Sequence, residues 1–216
     1  MKYILGLFLT IIFCSTVSYS QTNITISGAH VGFPIAIPEL CSQGSAPTLG
    51  VDISKQISAN LDFSGLFQIT NPNAFIEDPR RCLTVAETTY SDWSVIGADG
   101  LVRGIVKNSN RSNFYEVEMY LLDVVQQRPV LGKKYTFEDK DFKRVANRFS
   151  NEIIKYFTGS EGFFGSQIAY IQRKARFKDL YVSEVNGSNE VQLTNENGLV
   201  LSPAWSPQAD KIIFTS

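Results

Sequence analysis

The chain has 216 residues, 44% apolar and 19% charged, with 20 basic and 21 acidic side chains and a net charge of −1. That composition supports a packed core and excludes chain-wide disorder, and the balanced charge excludes the basic excess of a nucleic-acid footprint. The length suits one ordinary domain plus part of another.

The first element reads as a targeting segment over residues 1–20. Lys2 supplies the positive start, Ile4 to Phe13 form an apolar run of about ten residues, and Ser18-Tyr-Ser20 places small residues for cleavage after Ser20. About ten residues are too few for a membrane-spanning helix, which takes about twenty. Phe13 before Cys14 argues against lipoprotein processing, so the expected product is exported and soluble. Removing Cys14 leaves Cys41 and Cys82, a candidate disulfide in an oxidising compartment. Closing that loop stabilises the fold by ~4 kcal/mol in a chain-entropy treatment. The alternative is two unpaired thiols in two separate loops.

Phe33 to Leu40 is a short apolar run with two prolines and reads as a strand near a sheet edge. Cys41 to Thr48 is a Gly/Ser/Pro loop. Ile53, Ile57 and Leu61 recur every four residues on one helix face, which Ser64-Gly65 terminates. Leu66 to Ile69 is a strand and Asn71 to Arg81 a loop. Leu101 to Val106, a turn over Asn108 to Asn113, and the alternation Tyr115, Val117, Met119, Leu121 form a meander with one buried face. A turn at Gln126 to Pro129 leads to a third strand, Val130 to Phe137. Asp139 or Asp141 then caps a helix whose stripe is Phe142, Val145, Ala146, Phe149, Ile153 and Phe157, closed by Thr158-Gly159. Helices on a mixed or antiparallel sheet make residues 21–158 an α+β domain.

Beyond a linker at 159–165, which reads as a hinge, the texture becomes short strands: Gln167 to Gln172, Lys178 to Glu184 and Glu190 to Leu193. Asn186-Gly187 is a two-residue hairpin signal needing positive φ at both positions. Ser202 to Trp205 and Lys211 to Phe214 begin a further pair. The basic cluster Arg173, Lys174, Arg176 and Lys178 reads as a solvated hairpin tip. Trp205 is either a recognition aromatic or blade core.

No catalytic constellation is visible. His30 is the single histidine, which removes His-based triads and multi-His metal sites. Neither a G-x-S-x-G elbow nor a phosphate-binding loop is present. No cofactor and no metal are expected.

Several runs together resemble the TolB family of the Tol–Pal cell-envelope system. They are Ile24 to Pro38, Trp93 to Asp99 with Leu101-Val-Arg-Gly104, Phe157 to Gly162 with Ile168-Ala-Tyr170, and the blade-like text Leu180-Tyr-Val-Ser, Asn186-Gly, Gln192-Leu-Thr194 and Ser202-Pro-Ala-Trp-Ser-Pro207. The resemblance implies a non-enzymatic periplasmic scaffold with an α+β N-terminal domain similar to an anticodon-binding fold. A WD40-like six-bladed β-propeller would follow. Residues 166–216 then supply an incomplete β-propeller, about one blade, with unpaired strand edges and low stability of its own. In the last repeat Gln208-Ala209-Asp210 stands where the usual turn has glycine.

The resemblance also implies partners: a Pal-like peptidoglycan-associated lipoprotein, bound mainly through the propeller, and a TolA-like inner-membrane protein. The latter would meet the mature N-terminus, Gln21, Thr22, Asn23, Ile24, Thr25, Ile26, Ser27, Gly28, Ala29, His30 and Val31. By its residues this segment is either an order–disorder switch or a frayed end that pairs with a sheet edge. Nucleic acid and small-molecule substrates are not expected. Two other readings stay open: the propeller front of a prolyl-oligopeptidase-type serine peptidase, and a small-ligand carrier built on the α+β domain.

Overall fold

The computed structural model describes residues 32–44, 48–78, 81–195 and 198–216. Its organising element is a six-stranded mixed sheet. Strand β1 (Phe33–Ala36) is followed by a two-residue strand β2 (Cys41–Ser42), helix α1 (Leu49–Phe63), strand β3 (Phe67–Ile69) and a short helix α2 (Tyr90–Val95). The meander β4 (Gly100–Asn108), β5 (Tyr115–Asp123) and β6 (Arg128–Phe137) leads to helix α3 (Phe142–Thr158). The strand order is β3-β1-β4-β5-β6, with β2 joining the side of β4 beyond β1. The β1–β3, β1–β4 and β2–β4 pairings are parallel, while β4–β5–β6 is antiparallel.

The sequence places β1 near a sheet edge, but it lies between β3 and β4. Its proline is tolerated for a local reason. The Pro34 carbonyl accepts from Asp99 N–H (3.0 Å), so the missing donor also faces β4, one residue before β1–β4 pairing begins at Ile35 and Gly100. Cys41 and Ser42, read as loop, pair with Ile105 and Val106 because β4 runs on beyond β1. At the opposite edge, Pro129 lies in β6 beside a register shift at Leu121 and Leu122, as an edge strand permits.

Helices α1 and α3 pack together on one face of the sheet. Ile53, Ile57 and Leu61 are fully buried, as are Ala146, Phe149 and Ile153, with Val145 nearly so. Each such large apolar side chain contributes about 1.5–3 kcal/mol on burial. The predicted stripe ends short of Phe157, which is 38% exposed and packs at the helix end against Phe33 and Phe67. Between the helices, Asn60 Nδ2 donates to Asn147 Oδ1 (2.8 Å) and Ser150 Oγ (3.1 Å). Asn60 and Ser150 are both buried, so these bonds offset the desolvation of groups that an apolar seam would leave orphaned.

The predicted side-chain cap of α3 is absent. Asp139–Asp141 forms a 3-10 turn and Asp141 is the N-cap residue, but its carboxylate pairs with Arg144 (3.0 Å). At the other end Gly159 adopts φ +74°, the left-handed closure that glycine enters without a Cβ clash.

After α3, β7 (Gln167–Lys174), β8 (Phe177–Glu184) and β9 (Val191–Gln192) form an antiparallel sheet, and β10 (Leu201–Trp205) pairs with β11 (Ile212–Thr215). The Asn186-Gly187 turn differs from the two-residue form. Glu184 N–H donates to Ser188 O (2.9 Å) around a three-residue loop, and of its residues only Gly187 takes a positive φ, +80°. The Gly position therefore suits a three-residue hairpin, the next commonest class.

Helix α1 meets the chain after β1 closely enough to demand glycine at position 50. A Cβ there would lie 2.1 Å from Leu40 O. Gly50→Ala is expected to destabilise the protein by about 1–3 kcal/mol through forced separation of helix and strand, read as a lowered denaturation midpoint.

Candidate functional site

The two faces of the six-stranded sheet differ in chemistry. Opposite the helices, α2 and its flanking loops cover only part of the surface. Trp93, Ala98, Leu101, Leu122 and Val124 form a second buried cluster there, with Phe75 edge-on to Trp93 at 5.0 Å. Helix α2 escaped sequence reading because six residues give no repeat of a helical period. The rest of this face carries a cross-strand ion lattice of Lys107, Glu116, Glu118 and Lys134. The hydrogen bond between Lys134 and Glu116 (2.9 Å) holds the Glu116 carboxyl below its ordinary range and the ammonium above its own.

Beside that lattice, Leu83 to Ala86 overhang Arg103, Ile105 and Tyr120 and enclose a cleft of about 440 Å³. Two devices hold the overhang. Cys41 and Cys82 are joined by a disulfide, with Cα atoms 4.9 Å apart, tying it to β2. Arg103, 6% exposed, makes a bidentate pair with Glu77, with Nη1 to Oε1 at 2.8 Å, and its guanidinium lies 5.8 Å from the centre of the Trp93 ring. Within the overhang, Glu87 accepts from Thr84 N–H and Oγ–H, both at 2.8 Å, and these bonds lower its pKa. Sequence reading missed the Arg103–Glu77 pair; its partners are 26 positions apart, beyond any local pattern.

The C-terminal strands present a different surface. Thr194 Oγ accepts from Leu180 N–H (2.9 Å) and donates to the buried Asp179 (3.3 Å), fixing the chain after β9 against β8. Lys178 pairs with Leu199, so the returning chain also follows the start of β8. Strands β7–β9 and β10–β11 form two separate sheets among the described residues. Between them lies a cleft of about 550 Å³ framed by Leu180, Val182, Leu193, Trp205, Ile212 and Phe214. Trp205 is half-buried, and its Nε1 has no hydrogen-bond partner among the described residues. Leu193, Val191, Leu199 and Ile213 are each more than half exposed. Ala209 takes φ +55° in the turn where glycine would be unstrained, at about 1–2 kcal/mol of steric cost. Arg173, Lys174 and Arg176 are exposed at the β7–β8 tip.

The segment Gln21 to Val31, including His30, and the targeting segment 1–20 lie outside the described residues. Among the described residues no group of three His, Cys, Asp or Glu side chains is placed to hold a metal, and no helix is long and apolar enough to cross a membrane. The segment 159–165 is anchored: Asn151 bonds both Phe164 N and Phe164 O at 2.9 Å, and Phe164 is buried in the main core.

A family model described as the TolB amino-terminal domain matches residues 22–130. The chain belongs to the TolB amino-terminal domain family. Among curated relatives, a Tol-Pal system protein TolB of Syntrophotalea carbinolica is 33% identical over 168 residues, which is 77% of this chain and 39% of the relative. Another, from Anaeromyxobacter sp. (strain K), is 31% identical over 183 residues, 85% of this chain and 42% of the relative. The chain thus spans roughly two fifths of the length of these relatives. The crystal structure of TolB from Acinetobacter baumannii superposes with a TM-score of 0.71 at 24% identity, covering 86% of this chain and 44% of that one. That likeness supports the fold.

Two expectations follow. Glu77→Ala strands Arg103 in a buried site and should cost about 3–5 kcal/mol, whereas Glu77→Leu with Arg103→Met should be much milder; urea denaturation of the three proteins compares them. In limited trypsin digestion, cleavage at Arg173 to Arg176 should precede any cut within residues 32–158. Equal resistance of both parts would show the C-terminal strands to be as protected as the main sheet.

Proposed function

We infer that this chain forms the N-terminal part of a non-enzymatic scaffold in the Tol–Pal envelope system, exported to the periplasm by a signal peptide cleaved after Ser20. The family match over residues 22–130 carries this reading. Two further observations support it: an α+β unit followed directly by short antiparallel sheets, and relatives named as Tol-Pal components. In this reading β7–β11 begin a β-propeller of repeated antiparallel blades, and the apolar cleft around Trp205 is where a neighbouring blade would pack.

The scaffold works by surface recognition. A Pal-like lipoprotein docks mainly on propeller surface beyond the strands present here, and a TolA-like inner-membrane protein engages Gln21 to Val31. Joining these partners supports outer-membrane integrity and constriction at cell division. The disulfide belongs to this account, since an oxidising compartment forms and retains it.

The test is affinity capture with purified Pal, comparing the 216-residue chain with a form extended to a full propeller. Capture by the extended form at least tenfold stronger than by the 216-residue chain is the expected result. Equal capture by both would place the Pal surface on the α+β part and overturn this division of labour.

A further inference from the structure

The first half of α3 carries a concentration of positive charge that the scaffold reading leaves unused. Lys140, Lys143, Arg144 and Arg148 line a groove of about 670 Å³, whose opposite wall is Gly162 to Ser166 with Glu184. Two acidic side chains also line it, and both are engaged. Asp141 pairs with Arg144 at 3.0 Å, while Glu184 accepts from Ser188 Oγ at 3.2 Å and from Asn189 Nδ2. Lys140 pairs with Glu138 at 2.8 Å. Among the described residues, Lys143 and Arg148 have no carboxylate at ion-pair distance, and both are exposed.

Lys143 and Arg144 fall in the first turn of α3, where Asp141 at the N-cap offsets part of the positive end of the backbone dipole, and Arg148 lies one turn further in. An anion in the groove relieves the mutual repulsion of the cations. The groove is shaped for more than a point charge. Arg144, Asn147, Arg148 and Asn151 follow the i, i+3, i+4, i+7 stripe of one helix face. Arg144 and Arg148 are about 6 Å apart along the axis, close to the roughly 6.6 Å between same-side residues of an extended chain. Asn147 lies between them. Its Oδ1 accepts from Asn60, and its Nδ2 lies against the Gly165 wall, 3.9 Å from where a Cβ there would sit, with N–H groups for a peptide carbonyl.

We propose that this groove binds an extended polypeptide segment with acidic side chains at alternate positions, the carboxylates pairing with Arg144 and Arg148 and a backbone carbonyl accepting from Asn147. The Asn151–Phe164 bonds hold the two walls in place, so the site is formed before its ligand arrives. The concave wall favours a strand over a flat anionic membrane. The proposal rests on the groove alone and stands or falls separately from capture of Pal.

The test is fluorescence anisotropy of the full chain with a labelled octapeptide alternating Glu and Thr, and with its Lys/Thr counterpart. Binding of the Glu peptide alone, weakening at least tenfold in the Arg144→Gln/Arg148→Gln variant and falling with added salt, is expected. Asn147→Asp, which exchanges the amide N–H groups for negative charge, should weaken it similarly. Lys107→Gln, on the far face of the sheet, should not. Circular dichroism confirms that each variant is folded. Any of three results overturns the proposal: no binding of the Glu peptide at millimolar concentration, equal binding by Arg144→Gln/Arg148→Gln, or groove-dependent binding to phosphatidylglycerol vesicles with no peptide binding.

Discussion

The packing of α1 against α3 over one face of the sheet is the constraint from which the remaining architecture follows. Ile53, Ile57 and Leu61 meet Val145, Ala146, Phe149 and Ile153 with almost no exposure, and the Asn60 bridge sets the register between the helices. This two-layer arrangement buries the centre of one sheet face, while at its β6 edge Lys133 reaches Glu152 of α3 (3.0 Å). It also orients the outer surface of α3, so the groove of Arg144 and Arg148 is a by-product of the same packing that makes the core. Through Asn151 and Phe164, the helix carries the constraint onward to the start of β7.

The opposite face is closed by other means. Only one short helix and a long irregular segment cover it, too few apolar residues to hold themselves down. The disulfide and the Arg103–Glu77 pair hold that segment from its two sides. A bridge over a loop of this length limits the unfolded ensemble, whereas the buried ion pair chiefly specifies where the segment lies. Where cover stops, Lys107, Glu116, Glu118 and Lys134 keep the exposed strands soluble.

The C-terminal strands form two small separate sheets among the described residues. Each sheet has too few strands to bury its own apolar face, which leaves the cleft around Trp205 and the exposed Leu193 and Ile213. Relatives in the same family are named as components of the Tol–Pal system.

The periodicity of Ile53–Leu61 and of Val145–Ile153 was enough to specify both long helices, since a stripe every three or four residues has one stable outcome in water. The alternation in β5 specified the meander for the same reason. The residues alone could not place β1 inside the sheet, because strand order depends on pairings between distant segments, and Pro34 escapes penalty only through where β4 happens to begin. Helix α2, the Arg103–Glu77 pair and the Asp141 side chain's choice of Arg144 over capping were likewise decided in three dimensions. Local propensity is weak there, and the deciding partners are brought together by the packed core. Residue types identified most of the apolar side chains that would be buried, and the tertiary structure decided which charged groups would face one another.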